Sequence, residues 1–359
     1  MSEILKCAIV GYGPIWNFGQ MHARWMEHCE RMRLVAVCDI DADARQRALN
    51  DWPGIDVYGS TEEMVQDTAL DMVTVVTPHF THADIVTTCL DAGKHVVCEK
   101  AMATNVAECT RMVEAAEAAD RTLAIHHNRR HDGNYRIIEQ VVAEGMIGDL
   151  FHVECCEESY GHMGDWWYSD EDKSGGIFFF WGPHAVDWVL NLVPSRPIRV
   201  TGSTQRRMWN DISVADEVRC FIWFEGGETA EITFSKIAAI DRPLWRVLGT
   251  HGAIEDSKRG NVSGAYIGGY CEELVGEAGQ GSVRVVTTEG DEHNEHDLAY
   301  LESDWTSYYE DMAAHLLDGA PVPVSAEEGR RTVAVMQAAQ ESGEANGTMI
   351  ELENYEQQR

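Results

Sequence analysis

Lysine is scarce in this chain. Only six of the 28 basic residues are lysines, against 60 acidic residues, and the formal charge is −32. So anionic a surface repels a phosphate backbone and an anionic bilayer, which argues against nucleic acid and membrane partners. It would suit a high-salt cytoplasm, although a GC-rich genome alone would also favour arginine over lysine. No apolar run approaches the ~18 residues of a spanning helix. The opening Met1-Ser2-Glu3-Ile4 has neither the basic nor the apolar segment of a secretion signal. The ten cysteines form no C-x-x-C pair, and Cys7, Cys38, Cys98 and Cys220 sit inside apolar runs. They are expected to be small, reduced core residues of a cytoplasmic protein, with no metal site. Cys155 and Cys156 are neighbours in a strand and should point to opposite faces. Internal repeats and low-complexity tracts are also missing.

What is present is the length and composition of a globular protein of two domains: 359 residues, 44% hydrophobic and 9% aromatic. The first forty residues are the most informative. Leu5 to Val10 reads as a strand, Gly11-Tyr12-Gly13 follows, and a helical stretch carries Gly19, His22, Trp25 and Met26. A second apolar run from Leu34 ends at Cys38-Asp39. Strand, glycine turn, helix, strand and acid make half of a dinucleotide-binding βαβ unit. Gly11 and Gly13, with Pro14 and Ile15, would let the backbone approach a pyrophosphate at a helix N-terminus. Asp39 would accept hydrogen bonds from an adenosine ribose and repel a 2′-phosphate, favouring NAD over NADP. The third glycine, Gly19, comes three residues later than G-x-G-x-x-G requires, so residues 14–18 form an enlarged loop.

Strands and helices alternate as far as His126, which predicts an α/β fold with a doubly wound parallel sheet over residues 1–127. Ligands bind beyond the C-terminal strand ends in such sheets. Thr77, Pro78, Glu99, Lys100 and Asn128 fall there. From residue 128 to 359 strands predominate, at 151–157, 198–204, 217–224, 228–234 and 246–249. They predict an α+β domain built on a large, mainly antiparallel open sheet. A helix is expected over 185–192, long loops with weak strand signals over the glycine-rich, acidic residues 257–297, and amphipathic helices over 305–317 and 326–340 that pack back on the core.

Three features together resemble the Gfo/Idh/MocA oxidoreductase family over essentially the full chain. They are the glycine fold with His22 after it, Glu99-Lys100-Ala101 after the fifth strand, and the run Gly175-Gly176-Ile177-Phe178-Phe179-Phe180-Trp181-Gly182-Pro183-His184-Ala185-Val186-Asp187. The resemblance implies an N-terminal Rossmann domain and a C-terminal substrate-binding and oligomerisation domain. Lys100 would lie beside the nicotinamide and the reacting hydroxyl, and His184 would exchange the hydroxyl proton. An ammonium stabilises a developing alkoxide, and imidazole titrates near neutral pH. Glu99 would orient Lys100 or the ribose, or else be a solvated glutamate. Asp187, three residues after His184, would hold the other imidazole nitrogen or serve as a structural cap or ion-pair residue. Asn128 and Arg129 would face cofactor and substrate or form a solvated hinge. His79 and His82 are expected to touch the cofactor loop.

Two departures stand out. Ala101 replaces the family's proline, which should loosen a turn. Phe180 replaces an aspartate and makes the pocket drier there. Tyr160, Asp165, Trp166 and Trp167, with Phe180, would supply flat faces for a sugar or an aglycone ring, or else core and interface contacts. The expected activity is NAD-dependent oxidation of a secondary hydroxyl of a sugar, glycoside or cyclic polyol by a homodimer or homotetramer. The alternatives are a redox-neutral enzyme that retains NAD and cleaves or epimerises glycosides, and a non-catalytic NAD- and sugar-binding protein.

Overall fold

The computed structural model describes residues 4–14, 17–256 and 281–356, so Ile15 and the segment 257–280 lie outside it. Six parallel strands form the first sheet: β1 (Leu5–Val10), β2 (Met32–Cys38), β3 (Asp56–Tyr58), β4 (Met72–Val75), β5 (His95–Glu99) and β6 (Leu123–His126). Their order is β3-β2-β1-β4-β5-β6. The order reverses between β1 and β4, and that switch point opens a crevice beyond the strand ends. β4 is buried at every residue and β1 at all but Lys6, as a parallel sheet covered on both faces requires. Asp41, Ser60 and Asn105 start the helices between strands by accepting from backbone N–H groups.

The second sheet has nine strands: β7 (Leu150–Glu158), β8 (Pro197–Gln205), β9 (Glu217–Phe224), β10 (Thr229–Ser235), β11 (Trp245–Gly249), β12 (Gly252–Asp256), β13 (Ser282–Glu289), β14 (Glu292–Ala299) and β15 (Ile350–Glu351). The order is β14-β13-β12-β11-β7-β10-β9-β8-β15. Only the central β7–β10 pair is parallel among the described residues, so the expectation of a mainly antiparallel sheet holds. The helices Phe178–Leu192 and Ala326–Glu344 pack against this sheet. Phe151 is exposed on it, and Phe221 and Trp223 are half-buried.

Two expectations need correction. Residues 282–299 are a strand hairpin rather than loops; its outer strand, Glu292–Ala299, is exposed almost throughout and carries no alternating apolar pattern. The helix expected over 185–192 begins seven residues earlier, at Phe178, and carries Pro183 inside it. Proline there removes one N–H from an early turn. Gly182 is required at the same turn, because a Cβ would stand 2.6 Å from the Phe178 ring. No described helix is long and apolar enough to cross a membrane.

The helix Ala326–Glu344 links the two sheets. A capping box between Ser325 and Glu328 starts it. It touches the helix Val106–Ala119 on one side and β8 on the other. Its backbone lies on Gly202 of β8 so closely that a Cβ would come within 1.9 Å of the Ala339 carbonyl oxygen. Gly202→Ala is therefore expected to cost about 1–3 kcal/mol through overpacking. A urea titration should show a lower midpoint with an unchanged slope.

Candidate active site

The crevice at the switch point is a cleft of about 390 Å3. Gly11, Gly13, Pro14, Asp39, Thr77, Pro78, His79, Glu99, Lys100, Trp166 and Trp167 line it, as does Tyr168. Gly11 has φ +102°, and a Cβ there would meet the Val76 carbonyl oxygen at 2.5 Å. Gly13 faces open space, while a Cβ on Gly19 would stand 2.2 Å from the Gly11 carbonyl oxygen. The late third glycine thus still lets the helix Phe18–His28 pack tightly on the glycine turn. One oxygen of Asp39 accepts from Tyr12 N–H (2.6 Å) and the other from Asp41 N–H (2.9 Å). Arg45 donates to the Asp39 and Ile40 carbonyl oxygens. Backbone that can be approached at the glycines, with a carboxylate at the end of β2, fits the pyrophosphate and the adenosine ribose of a dinucleotide.

Lys100 closes the inner end of the cleft. It is 9% exposed, and its Nζ donates to the Phe180 carbonyl oxygen (3.3 Å). Burial pushes its ammonium down to about 8, against the pull of Glu99. Glu99 is buried and organised. Its Oε1 accepts from His22 (3.0 Å) and His126 (2.7 Å), and its Oε2 from the Lys100 backbone N–H (2.9 Å). The Tyr309 hydroxyl meets the other nitrogen of His22. Burial alone would raise the Glu99 carboxyl, but His126 and His22 hold it well below the usual carboxylate range. His22, Glu99 and His126 are close enough to share a metal ion, yet their separations are those of hydrogen bonds.

The turn after β5 is held by side chains on both sides of Ala101. The Lys100–Ala101 peptide is cis. His79 Nδ1 donates to the Ser174 carbonyl oxygen (2.9 Å), so its Nε2 accepts from Ala101 N–H (3.1 Å). His82 lies beneath, with ring nitrogens 2.9 Å from the Ala101 and 2.7 Å from the Thr77 carbonyl oxygens. His79 reaches the cleft wall. His82 does not line the cleft and holds the Thr77 and Ala101 turns from below.

His184 is 1% exposed, and neither ring nitrogen has a partner among the described residues. Phe180 stands one helical turn before it, so the two share a helix face, contrary to the expectation of no helix there. Burial, with Lys100, Arg129 and His127 nearby, holds His184 well below the ordinary histidine range and therefore neutral. The Phe180 ring packs on Tyr168 (5.0 Å) and Phe234 (5.7 Å). The Trp167 and Tyr168 rings stack at 3.8 Å.

Other expected site residues lie apart. Asp187 does not hold His184; Arg130 clamps its carboxylate through two hydrogen bonds of 2.8 and 2.6 Å, and Arg130 also reaches Glu328. Arg129 is buried, not a solvated hinge, and pairs with Asp132 (2.8 Å). Its guanidinium lies 4.5 Å from the centre of the Trp181 ring. Asn128 is buried outside the cleft. Tyr160 is 53% exposed and turns to Met208, and Asp165 is exposed. Neither reaches the cleft. His126, His127, Trp181 and Tyr309 were not foreseen; no periodicity marks a residue whose partner lies in a distant strand or helix.

Fold and cleft together define a dinucleotide-binding two-domain oxidoreductase architecture. Residues 5–127 match the model described as "Oxidoreductase family, NAD-binding Rossmann fold", and residues 135–255 match the "GFO/IDH/MocA C-terminal domain". The chain belongs to the Gfo/Idh/MocA oxidoreductase family. It is 24% identical to scyllo-inositol 2-dehydrogenase (NADP(+)) IolW of Bacillus subtilis, over 97% of this chain and 96% of that protein. It is 26% identical to myo-inositol 2-dehydrogenase of Thermotoga maritima, over 94% and 96% of the two chains. Among solved structures, an NAD-binding protein from Listeria innocua superposes with a TM-score of 0.82, at 26% identity over 99% of each chain. Aldose-aldose oxidoreductase from Caulobacter crescentus shares the fold, with a TM-score of 0.79 at 20% identity, over 97% of this chain and 100% of that one.

Asp187→Asn is expected to act on stability, because it breaks a largely buried pair. The loss should be about 3 kcal/mol by denaturant titration. The pH profile of any turnover should stay in place, since Asp187 does not touch His184.

Proposed function

We propose that the protein is an NAD-dependent dehydrogenase that oxidises a secondary hydroxyl on a sugar-like or cyclic polyol-like ring, or reduces the matching ketone. The observation that carries this reading is Lys100, a buried ammonium at the inner end of a dinucleotide cleft, with the neutral and unpartnered His184 nearby. Residues 1–127 hold the dinucleotide and residues 128–359 supply the substrate side. A bound nicotinamide would accept the hydride from the carbinol carbon. His184, kept neutral by burial, takes the hydroxyl proton. Lys100 stabilises the negative charge that develops on that oxygen. Glu99 fixes the Lys100 backbone, and Trp167, Tyr168 and Phe180 offer ring faces and exclude water. His184 does not line the cleft in this conformation, so substrate entry requires displacement of aromatic side chains such as Phe180. NAD is favoured because Asp39 would face the 2′-phosphate of NADP while Arg45 is engaged by backbone carbonyls. Two copies are proposed to meet through the open face of the nine-stranded sheet, which carries Phe151, Phe221 and Trp223.

Titration of NAD and NADP by intrinsic fluorescence should show tighter binding of NAD; equal affinity would remove the role given to Asp39. Lys100→Ala and His184→Ala should each lower kcat/KM by roughly 10² to 10⁴ with NAD affinity nearly intact. Turnover by this route needs Lys100 charged and His184 neutral. The oxidation rate should thus be flat from about pH 6 to about pH 7.5 and fall as pH rises through the Lys100 value of about 8. Lys100→Arg should keep its charge and lose the alkaline fall. A rate that climbs through this range would make Lys100 the base instead.

A further inference from the structure

The polar groups around Lys100 are unbalanced in one direction. On the donor side stand the Lys100 ammonium and the buried indole N–H of Trp181, while the neutral, buried rings of His184 and His127 each offer one donor and one acceptor nitrogen. Trp181 Nε1, both nitrogens of His184 and Nδ1 of His127 have no hydrogen-bond partner among the described residues. Trp181 follows Phe180, whose carbonyl oxygen receives Lys100, and its ring lies 5.2 Å from that of His184. The Arg129 guanidinium over the Trp181 ring adds a second positive group.

The acceptor side is already committed. Glu99 serves His22, His126 and the Lys100 backbone. The Asp187 carboxylate serves Arg130 and Asn191. Asp132 serves Arg129 and the Trp305 indole N–H. Phe180 adds no acceptor. A neutral polyol brings a proton on every hydroxyl, and each needs an acceptor when buried. A carboxylate brings only acceptors and a negative charge, and it meets N–H donors in strong, charge-assisted hydrogen bonds.

We propose that the substrate of this site is a hydroxylated ring bearing a carboxylate, of the uronate or hydroxycycloalkane-carboxylate class. The carboxylate is received by the Trp181 N–H on the Arg129 side of Lys100. This rests on the dehydrogenase reading and narrows its substrate. Oxidation stays balanced: the carbinol C–H and O–H bonds break, the hydride reduces NAD, the proton passes to His184, and the carboxylate is unchanged. The local positive charge also opposes the protein's overall field of −32, which by itself would repel such a substrate.

The test compares matched pairs with NAD: glucose with glucuronate, galactose with galacturonate, and cyclohexanol with 2-hydroxycyclohexane carboxylate. NADH formation gives kcat/KM, and tryptophan fluorescence in the presence of NAD gives binding. The carboxylate partner should be favoured by about tenfold or more. Trp181→Phe keeps the ring and removes the N–H, so it should raise KM for the carboxylates by a larger factor than for the neutral partners. Phe180→Asp should reverse the preference toward neutral rings. Equal or better turnover of the neutral partners by the wild type would overturn the proposal and leave the dehydrogenase reading standing. If neither class yields NADH, that reading fails, and binding decides this one: tighter binding of the carboxylates supports it, and equal or absent binding ends it.

Discussion

A buried carboxylate must be met by donors or it does not stay ionised, and Glu99 meets that demand with groups from across the fold. His22 comes from the helix after β1, His126 from the end of β6, and the Lys100 N–H from the turn after β5. Tyr309, in the helix Ser307–Asp318, secures His22 from behind. Loss of that one charge would leave two imidazoles and a backbone N–H facing each other without an acceptor. The position of Lys100 at the inner end of the cleft follows from this arrangement. His79 and His82 brace the adjoining Ala101 turn in the same way.

The second constraint is desolvation. Lys100 and His184 are both held below their ordinary values, chiefly by burial, yet with different results. Lysine starts high, so it remains largely charged near neutrality. Histidine starts near neutrality, so it loses its charge altogether. One dry environment thus yields a cation and a neutral base near one another, with Glu99 only partly offsetting the effect of burial on either. The aromatic packing of Phe180 on Tyr168 and Phe234 maintains that dryness.

The nucleotide half was legible in the sequence because its signals are local: a glycine turn, short β-branched strands and helical caps. The site was legible only in part. Lys100 and His184 stood out through motif resemblance, and the structure brings them near one another. Asp187 was open to two readings, and the structure shows the ion pair: nearness along a helix says nothing of Arg130, 57 residues earlier, whose planar fork holds the carboxylate. The Glu99 network was hidden because its hydrogen bonds span 77 residues to His22 and, from there, 287 to Tyr309. Gly182 and Pro183 masked the early turns of a helix that tertiary packing supports. The hairpin at 282–299 was masked by an acidic, exposed edge strand.

The edge of the first sheet is completed from the far end of the chain. Ile125 in β6 donates to the Val324 carbonyl oxygen, and Ala124 bridges Ser325. Tyr308 donates to the Ile125 carbonyl oxygen, and Ser325 opens the helix that lies on Gly202. During synthesis, then, the strand that closes the nucleotide fold leaves the ribosome some two hundred residues before the segment that seals it. The nascent first half carries a bare strand edge through that interval, the kind of edge that invites pairing with another chain. Final consolidation of both halves must wait for the helix Ala326–Glu344, so completion of the first domain does not by itself make the native state accessible.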